Sequence, residues 1–265
     1  MPQKICVFLL LLGLLFAACH NDTQNNTTIA VNQEQQLKDA LAKYPDSLLL
    51  RENLIEYYRD NNNYAQALAT TGNYLKKDSL NPRLWDIQGT LYFETKDTVH
   101  SIQSFENAVA LLPDPEYLMS LGSLYAETKD SRALAAADAL MANSKGSAQK
   151  ESLFIKGLYN SITGNCTKAI PYFDSCITID YTFTVAYREK AICFYNMGQY
   201  SDALDVLSRA IEIVNTYEEA YYWMGRCHEK LADKAAAIKD YQTALQMDKN
   251  YREAKEALLK LGVSN

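Results

Sequence analysis

Residues 82–115 read PRLWDIQGTLYFETKDTVHSIQSFENAVALLPDP, and the pattern of this stretch recurs along the chain with a period of 34 residues. With residue 48 as position 1, the units begin at residues 48, 82, 116, 150, 184 and 218. Position 20 is Ala in every unit except the second, which has Ser101. Position 8 is Gly in three units, as Gly89, Gly157 and Gly225. Because several positions agree at one phase, the chain is predicted to be an array of structural repeats.

The repeated pattern resembles that of the tetratricopeptide repeat family, and this resemblance implies that each unit folds as two antiparallel helices, A and B. Small residues at positions 8 and 20 let the two helices approach to the ordinary packing distance of about 8–10 Å. Large residues at positions 4, 11 and 24 fill the space around this contact, and a small residue at position 27 admits the next unit. Since one helix pair cannot bury its apolar faces alone, neighbouring units are expected to stack into a continuous core.

At these positions the chain resembles the tetratricopeptide repeat family, most closely through Trp85, Gly89, Tyr92, Phe105, Ala108 and Pro113. The resemblance implies an all-α fold, a right-handed superhelical solenoid of antiparallel helix pairs over residues 36–265. It places about six units near 48–81, 82–115, 116–149, 150–183, 184–217 and 218–251, with part of a helix before them and a capping helix in 252–265. The third unit is irregular, because Gly122 comes one position early and Ala139 replaces the large residue at position 24.

The first residues are predicted to be an export signal, with a signal peptide over residues 1–18. Lys4 precedes twelve uncharged apolar residues, 5–16, which are too few for a membrane-spanning helix of about 20 residues. Residues 15–19, LFAAC, resemble a bacterial lipobox, and this resemblance implies lipidation of Cys19; a plainly secreted protein or a retained anchor are the alternatives. The polar residues that follow are expected to be a flexible tether over 19–35, because they cannot bury enough apolar surface to fold.

Composition and motifs argue against several classes of function. The chain has 26 Lys and Arg against 32 Asp and Glu, so its net charge of -6 offers no broad basic face for nucleic acid. It has no CxxC or HExxH motif, no readable pair of nucleophile and base, and no phosphate-binding Gly loop. The sequence therefore predicts a protein that is not an enzyme and that holds no cofactor and no metal. His228, at position 11, is expected to fill an aromatic slot of the core.

Four cysteines lie in the predicted repeats, namely Cys166, Cys176, Cys193 and Cys227. An oxidising compartment would permit disulfides among them. Cys193 and Cys227 hold equivalent positions in neighbouring units, which should place them too far apart for a bridge. The four are expected to be free thiols, and a Cys176–Cys193 bridge is the least unfavourable alternative.

The family resemblance implies that helices A line a concave groove through positions 2, 5, 6, 9, 12 and 13. In the first half of this groove the residues are predicted to be acidic and polar, including Glu52, Glu56 and Asp86. The second half mixes aromatic, aliphatic and Arg residues, and Tyr, Trp and Arg are the types enriched at binding hot spots. The predicted partner-binding residues are Phe154, Leu158, Arg188, Tyr195, Tyr222, Trp223 and Arg226.

Together these features predict a non-enzymatic scaffold or adaptor that is lipid-anchored in a bacterial cell envelope. Its partner would be a segment of another envelope protein, bound in the concave groove. The outer membrane is favoured over the inner, because no Asp directly follows Cys19. Two alternatives remain open: a regulator or accessory subunit of an envelope enzyme, and a surface component that binds glycans through aromatic residues such as Trp223.

Overall fold

In the computed structural model, residues 22–263 are described, with side chains described from residue 33 onward. The predicted signal peptide and Cys19 lie outside these residues. No helix within the described range is both long and apolar enough to cross a membrane.

Residues 22–263 form fourteen α-helices and no strand, which confirms the predicted all-α fold of helix pairs. The helices are α1 Asp22–Lys43, α2 Leu48–Asp60, α3 Tyr64–Leu75, α4 Pro82–Glu94, α5 Thr98–Leu111, α6 Pro115–Glu127, α7 Arg132–Asn143, α8 Gln149–Ile162, α9 Cys166–Ile179, α10 Thr184–Asn196, α11 Tyr200–Ile213, α12 Glu218–Lys230, α13 Lys234–Met247 and α14 Arg252–Lys260. They divide into two compact units, one ending at Ala67 and the other beginning at Leu68.

In the first unit, helix α1 begins earlier than the sequence predicted. It starts at Asp22, so residues that were expected to form a tether belong to a helix. Glu34 explains part of this extension, because its carboxylate lies 2.7 Å from Lys38 Nζ, one helical turn away, and accepts a hydrogen bond of 2.8 Å from the Tyr58 hydroxyl of α2. A pair of opposite charges four residues apart and a contact to the next helix both favour continuing the helix.

The second unit consists mainly of five helix pairs, α4–α5 to α12–α13, in which the even-numbered helix is A and the odd-numbered helix is B. In three of these pairs a glycine of helix A faces an aromatic ring of helix B, as Gly89 faces Phe105. The other two pairs are Gly157 with Phe173 and Gly225 with Tyr241. Positions 8 and 24 therefore meet as the sequence predicted, with the ring occupying the space that a Cβ would need.

The third repeat departs from the 34-residue period in both of its helices. Gly122 of α6 comes one residue early, and a Cβ on it would meet Ile155 of α8 at 2.9 Å. Helix α7 is displaced by two residues: its buried set, Ala133, Ala136, Ala137 and Leu140, corresponds to Ser101, Ser104, Phe105 and Ala108 of α5. The residue equivalent to Phe105 is therefore Ala137, which corrects the prediction of Ala139. Residues 144–148 form a turn that restores the register before α8.

The turns between helices A and B share a residue with a left-handed backbone. In two repeats this residue is glycine, Gly164 and Gly198, with φ of 85° and 78°. In others it is Lys96, Lys129 or Ala232, with φ between 61° and 63°. A residue with a Cβ is strained in this region, which glycine enters freely.

Helix α14 is the last helix of the described residues. It buries Ala254, Ala257 and Leu258 against α13, while Leu259 on its other side is exposed. One apolar face and one solvated face are what the terminal helix of a repeat array requires.

Candidate functional site

Helices α4, α6, α8 and α10 surround a pocket of about 500 Å³, which we call the central pocket. Its walls are mainly apolar and include Phe93, Met119, Leu124, Phe154, Ile155 and Phe183. All four surrounding helices are A helices, so the pocket lies on the face that the family resemblance assigns to the groove. Pockets of this size and apolar character are the usual form of binding sites in proteins.

Aromatic packing fixes one wall of the central pocket. Phe154 of α8 lies between Phe173 of α9, at 5.9 Å between ring centroids, and Phe183, at 5.2 Å in an edge-on arrangement. On the opposite wall, Phe93 and Met119 remain 49% and 39% exposed. The pocket thus combines a rigid aromatic wall with two large apolar side chains that keep much of their surface in water.

The register of the third repeat explains which α6 side chains face the central pocket. With Gly122 taken as position 8, Met119 falls at position 5, Ser123 at position 9 and Glu127 at position 13. These positions are the ones that line the groove in the resembling family, and all three residues line the pocket. The small Ser123 side chain leaves space where a larger residue would fill the groove.

Glu127 is one of two acidic residues that line the central pocket, and it is exposed to solvent at the pocket's edge. Its carboxylate makes no hydrogen bond or ion pair with the rest of the described chain. Desolvation by the surrounding protein raises the pKa of Glu127, and the charge of Glu189 raises it further, whereas Arg188 acts in the opposite direction. A carboxylate that lacks a cation in this setting favours a positively charged group from outside the chain.

Arg188, a predicted partner-binding residue, is engaged within the chain. Its guanidinium lies 2.9 Å from the Glu189 carboxylate and also pairs with Glu219 of α12. Glu189 is itself buried, and desolvation raises the pKa of its carboxyl although Arg188 opposes that effect. This ion-pair network links α10 to α12, so Arg188 has a structural role next to the groove.

Four other predicted residues form one cluster around Arg226, which we call the arginine cluster. The Arg226 guanidinium donates hydrogen bonds to the hydroxyls of Tyr195, at 3.1 Å, and Tyr222, at 3.0 Å. It also lies 5.5 Å from the ring centroid of Trp223, within the range of a cation–π contact. The three aromatic side chains and the arginine are half-buried, and the hydrogen bonds and the cation–π contact of the guanidinium are made within the cluster.

A second pocket adjoins the arginine cluster. It has a volume of about 440 Å³, and Tyr195, Tyr222 and Arg226 line one side of it. Charged residues of α12 and α14 line the rest, including Glu229, Lys230, Glu253, Glu256 and Lys260. Its mixed charges contrast with the apolar walls of the central pocket.

The structure thus separates the seven predicted partner-binding residues. Phe154 lines the central pocket, and Leu158 is buried in the core of the third and fourth repeats. Arg188 belongs to the ion-pair network, and the remaining four form the arginine cluster. Their role in binding stays a prediction. Asp86, expected on a polar groove surface, is instead 6% exposed and paired with Arg83 at 3.0 Å.

Three residues that line the central pocket were not predicted from the sequence, namely Met119, Glu127 and Phe183. A unit start fixed at residue 116 placed Met119 at position 4, which is a core position. The early Gly122 was the signal for the correct register, since it moves Met119 from core position 4 to groove position 5, whereas Glu127 falls on a groove position in either register. Phe183 lies just before α10, outside the repeat positions that were considered.

Neither a metal site nor a disulfide is formed by the side chains of residues 33–263. No group of three His, Cys, Asp or Glu residues there is arranged to hold a metal ion. Cys166, Cys176, Cys193 and Cys227 are buried free thiols in this range. His228 is partly exposed, and its Nδ1 lies within hydrogen-bond distance of Asp240 Oδ2 of α13, at 2.7 Å, so it makes a polar contact at the position where it was expected to fill an aromatic slot of the core.

Family models identify repeats in the C-terminal part of the chain. The model described as "TPR repeat" matches residues 193–231, and the one described as "Tetratricopeptide repeat" matches residues 218–251. The chain therefore contains tetratricopeptide repeats within residues 193–251.

Solved structures share the fold over most of the chain. A tetratricopeptide repeat protein from Parabacteroides merdae superposes with a TM-score of 0.78 at 20% identity, over 90% of this chain and 94% of that one. PilW, a type IV pilus biogenesis factor, gives a TM-score of 0.64 at 21% identity, over 79% of this chain and 97% of that one. At these identities the likeness establishes the fold.

Relatives by sequence are similar over shorter stretches. Heat shock protein STI1 of Saccharomyces cerevisiae is 30% identical over 92 residues, which are 34% of this chain and 16% of that protein. The first curated relatives are matched over 40% of their length or less.

Proposed function

We propose that the protein is a non-enzymatic adaptor that binds a segment of another protein in the central pocket. The observation that supports this most directly is an apolar pocket of about 500 Å³ on the A helices, with Phe93 and Met119 left half in water. Exposed large apolar side chains around a concave site favour a binding partner that covers them. Tetratricopeptide repeats in the same chain are consistent with a scaffold for protein interactions.

We further propose that the adaptor is held at a bacterial envelope membrane through lipid on Cys19, with the outer membrane favoured. The apolar run 5–16 and the LFAAC stretch support this localisation. Labelling cells with an alkyne analogue of palmitate should mark the wild-type protein and leave Cys19→Ser unmarked. Equal labelling of both forms, or of neither, would contradict lipid anchoring at Cys19 and leave partner binding untouched.

Partner binding is tested by photo-crosslinking in cells that naturally make the protein. A photoreactive residue replaces Met119 in the central pocket, and in a matched variant it replaces Val99, which is 74% exposed on α5, a B helix. The proposal expects discrete crosslinked proteins from position 119 and none, or only diffuse ones, from position 99. The same adducts from both positions, or no adduct from position 119, would place the binding surface elsewhere.

A further inference from the structure

We infer that the central pocket takes an amphipathic peptide segment that inserts an aromatic or large aliphatic side chain and sets a Lys or Arg against Glu127. This inference rests on the proposed function and specifies the chemistry of the partner. Three observations carry it: the apolar walls, the unpaired carboxylate at their edge, and the continuation of the pocket beyond that edge.

The apolar walls of the central pocket favour an apolar side chain from the partner. Phe93, Met119, Phe154 and Phe183 present aromatic and thioether surfaces to the same space. Its volume of about 500 Å³ accommodates one or two large side chains of a partner. Since Phe93 and Met119 are exposed without a partner, an inserted apolar group would bury surface that the chain alone leaves in water.

The acidic residues of the central pocket favour a Lys or Arg from the partner. Glu127 and Glu151 are the charged residues that line the central pocket, and both are acidic. Glu151 lies 3.5 Å from Lys150 Nζ, and Arg188 is taken up by Glu189 and Glu219. Glu127 is therefore the carboxylate left to receive a cation from a partner. A partner with acidic residues at this point would meet like charge and is disfavoured.

The shape of the site selects an elongated occupant. Phe93, Leu124 and Glu127 also line an adjoining depression of about 440 Å³, which extends to Lys96 and Thr98 at the start of α5. A peptide that enters the central pocket can therefore continue past Glu127 along the surface. In a helical or extended segment, an apolar residue and a cation within four positions of each other reach both features.

The test is a selection of random dodecapeptides displayed on phage against the full-length protein and three variants. Glu127→Gln removes the charge, and Glu116→Gln is the matched control at the other end of α6, exposed and outside the pocket. Phe93→Ser/Met119→Ser removes the exposed apolar wall at two positions that contribute little to the core. Circular dichroism verifies that every variant retains its helices.

Wild type and Glu116→Gln are expected to enrich peptides with an aromatic or large aliphatic residue and a Lys or Arg within four positions. Glu127→Gln should enrich apolar peptides without the cation, and the double Ser variant should enrich none of them. For one selected peptide, changing its cation to Gln should weaken binding to wild type about tenfold in fluorescence anisotropy, and to Glu127→Gln less than twofold. Such a double-mutant cycle isolates the pairwise contact.

Several outcomes would overturn the inference. Apolar peptides that lack a cation, or acidic peptides, selected on wild type would refute the role of Glu127 and leave the proposed adaptor function standing. No peptide enriched on wild type, or equal enrichment on the double Ser variant, would count against the central pocket itself and so against both proposals. Self-association of wild type that the double Ser variant loses, measured by sedimentation, would assign the pocket to a second copy of the chain.

Discussion

Gly225 of α12 and Tyr241 of α13 lie so close together that a Cβ on the glycine would stand 2.6 Å from Cε1 of the ring. Tyr241 is fully buried, and its hydroxyl donates a hydrogen bond to Glu229. The ring is therefore packed against the surface of α12 and held at its hydroxyl by a carboxylate of the same helix.

Gly225→Ala should consequently destabilise the protein by about 1–3 kcal/mol, because the added methyl group overpacks the helix contact. The matched change is Gly72→Ala in α3, where a Cβ would meet no atom outside its own helix within 4 Å. There the better helix propensity of Ala should stabilise by up to about 1 kcal/mol. Urea unfolding of both variants, followed by circular dichroism, decides the signs. Equal effects at the two positions would contradict the tight contact.

Ala232 offers the opposite substitution. It has φ of 61° in the turn between α12 and α13, a conformation that glycine adopts without the steric cost of a Cβ. Ala232→Gly should raise the free energy of unfolding by about 0.5–1 kcal/mol. Ala235→Gly, three residues later in the first turn of α13, should lower it by a similar amount. Thermal unfolding of the two variants would have to shift in opposite directions.

Asp86 gives stability a defined dependence on pH. Burial raises the pKa of its carboxyl from 3.8 to about 6, against the charge of Arg83. Between these values the folded state keeps a proton that the unfolded chain has released, so ionisation of Asp86 lowers the free energy of unfolding as pH rises. The effect should amount to about 2–3 kcal/mol across pH 4 to 7.

Asp86→Asn removes this titration. The stability of Asp86→Asn relative to wild type should therefore increase between pH 4 and pH 7, as measured by urea unfolding at several pH values. Asp205→Asn, at an exposed position of α11, is measured at the same pH values as the control for removing one negative charge. A flat difference for Asp86→Asn would show that its carboxyl ionises normally in the folded protein.

The buried cysteines should react slowly with alkylating agents. Desolvation raises the pKa of Cys176, Cys193 and Cys227 to about 12, so little thiolate forms at pH 8. Iodoacetamide should modify the peptides that hold these residues at least about a hundredfold more slowly in the native protein than in 8 M urea, as mass spectrometry would measure. Rapid native labelling of any of the three would mean that its repeat opens readily.

Periodicity predicted the parts of the fold that depend on residue size. The facing of Gly89 with Phe105, and of Gly225 with Tyr241, follows from small and large residues at fixed positions. Periodicity did not predict the third repeat, because the buried faces of α6 and α7 come one and two residues early, and the turn over residues 144–148 restores the register without changing the total length. The polar composition of residues 19–35 predicted a flexible tether. The contacts of Glu34 with Lys38 and Tyr58 instead support a helix in the part of this segment that the structure describes.

The candidate site was predictable only in part, for a related reason. Tyr195, Tyr222 and Trp223 gather around Arg226, and their role in partner binding stays a prediction. However, the sequence does not reveal that the side chains of Tyr195, Tyr222 and Trp223 already contact the Arg226 guanidinium within the chain. Met119 entered the site through a shift of one residue, and on a helix such a shift turns a side chain by about 100°. Errors of register therefore affect a predicted surface more than a predicted core.

The central pocket draws walls from four successive A helices, and this has a consequence for how the protein unfolds. In a repeat array each unit is stabilised by its nearest neighbours, so one end can melt while the other remains folded. A ligand seated in the pocket binds only when α4, α6, α8 and α10 are all in place. Its binding free energy therefore adds to the free energy of unfolding of all four repeats together. Occupancy would make this stretch unfold as a single cooperative block, so the steepness of its melting would report ligand binding.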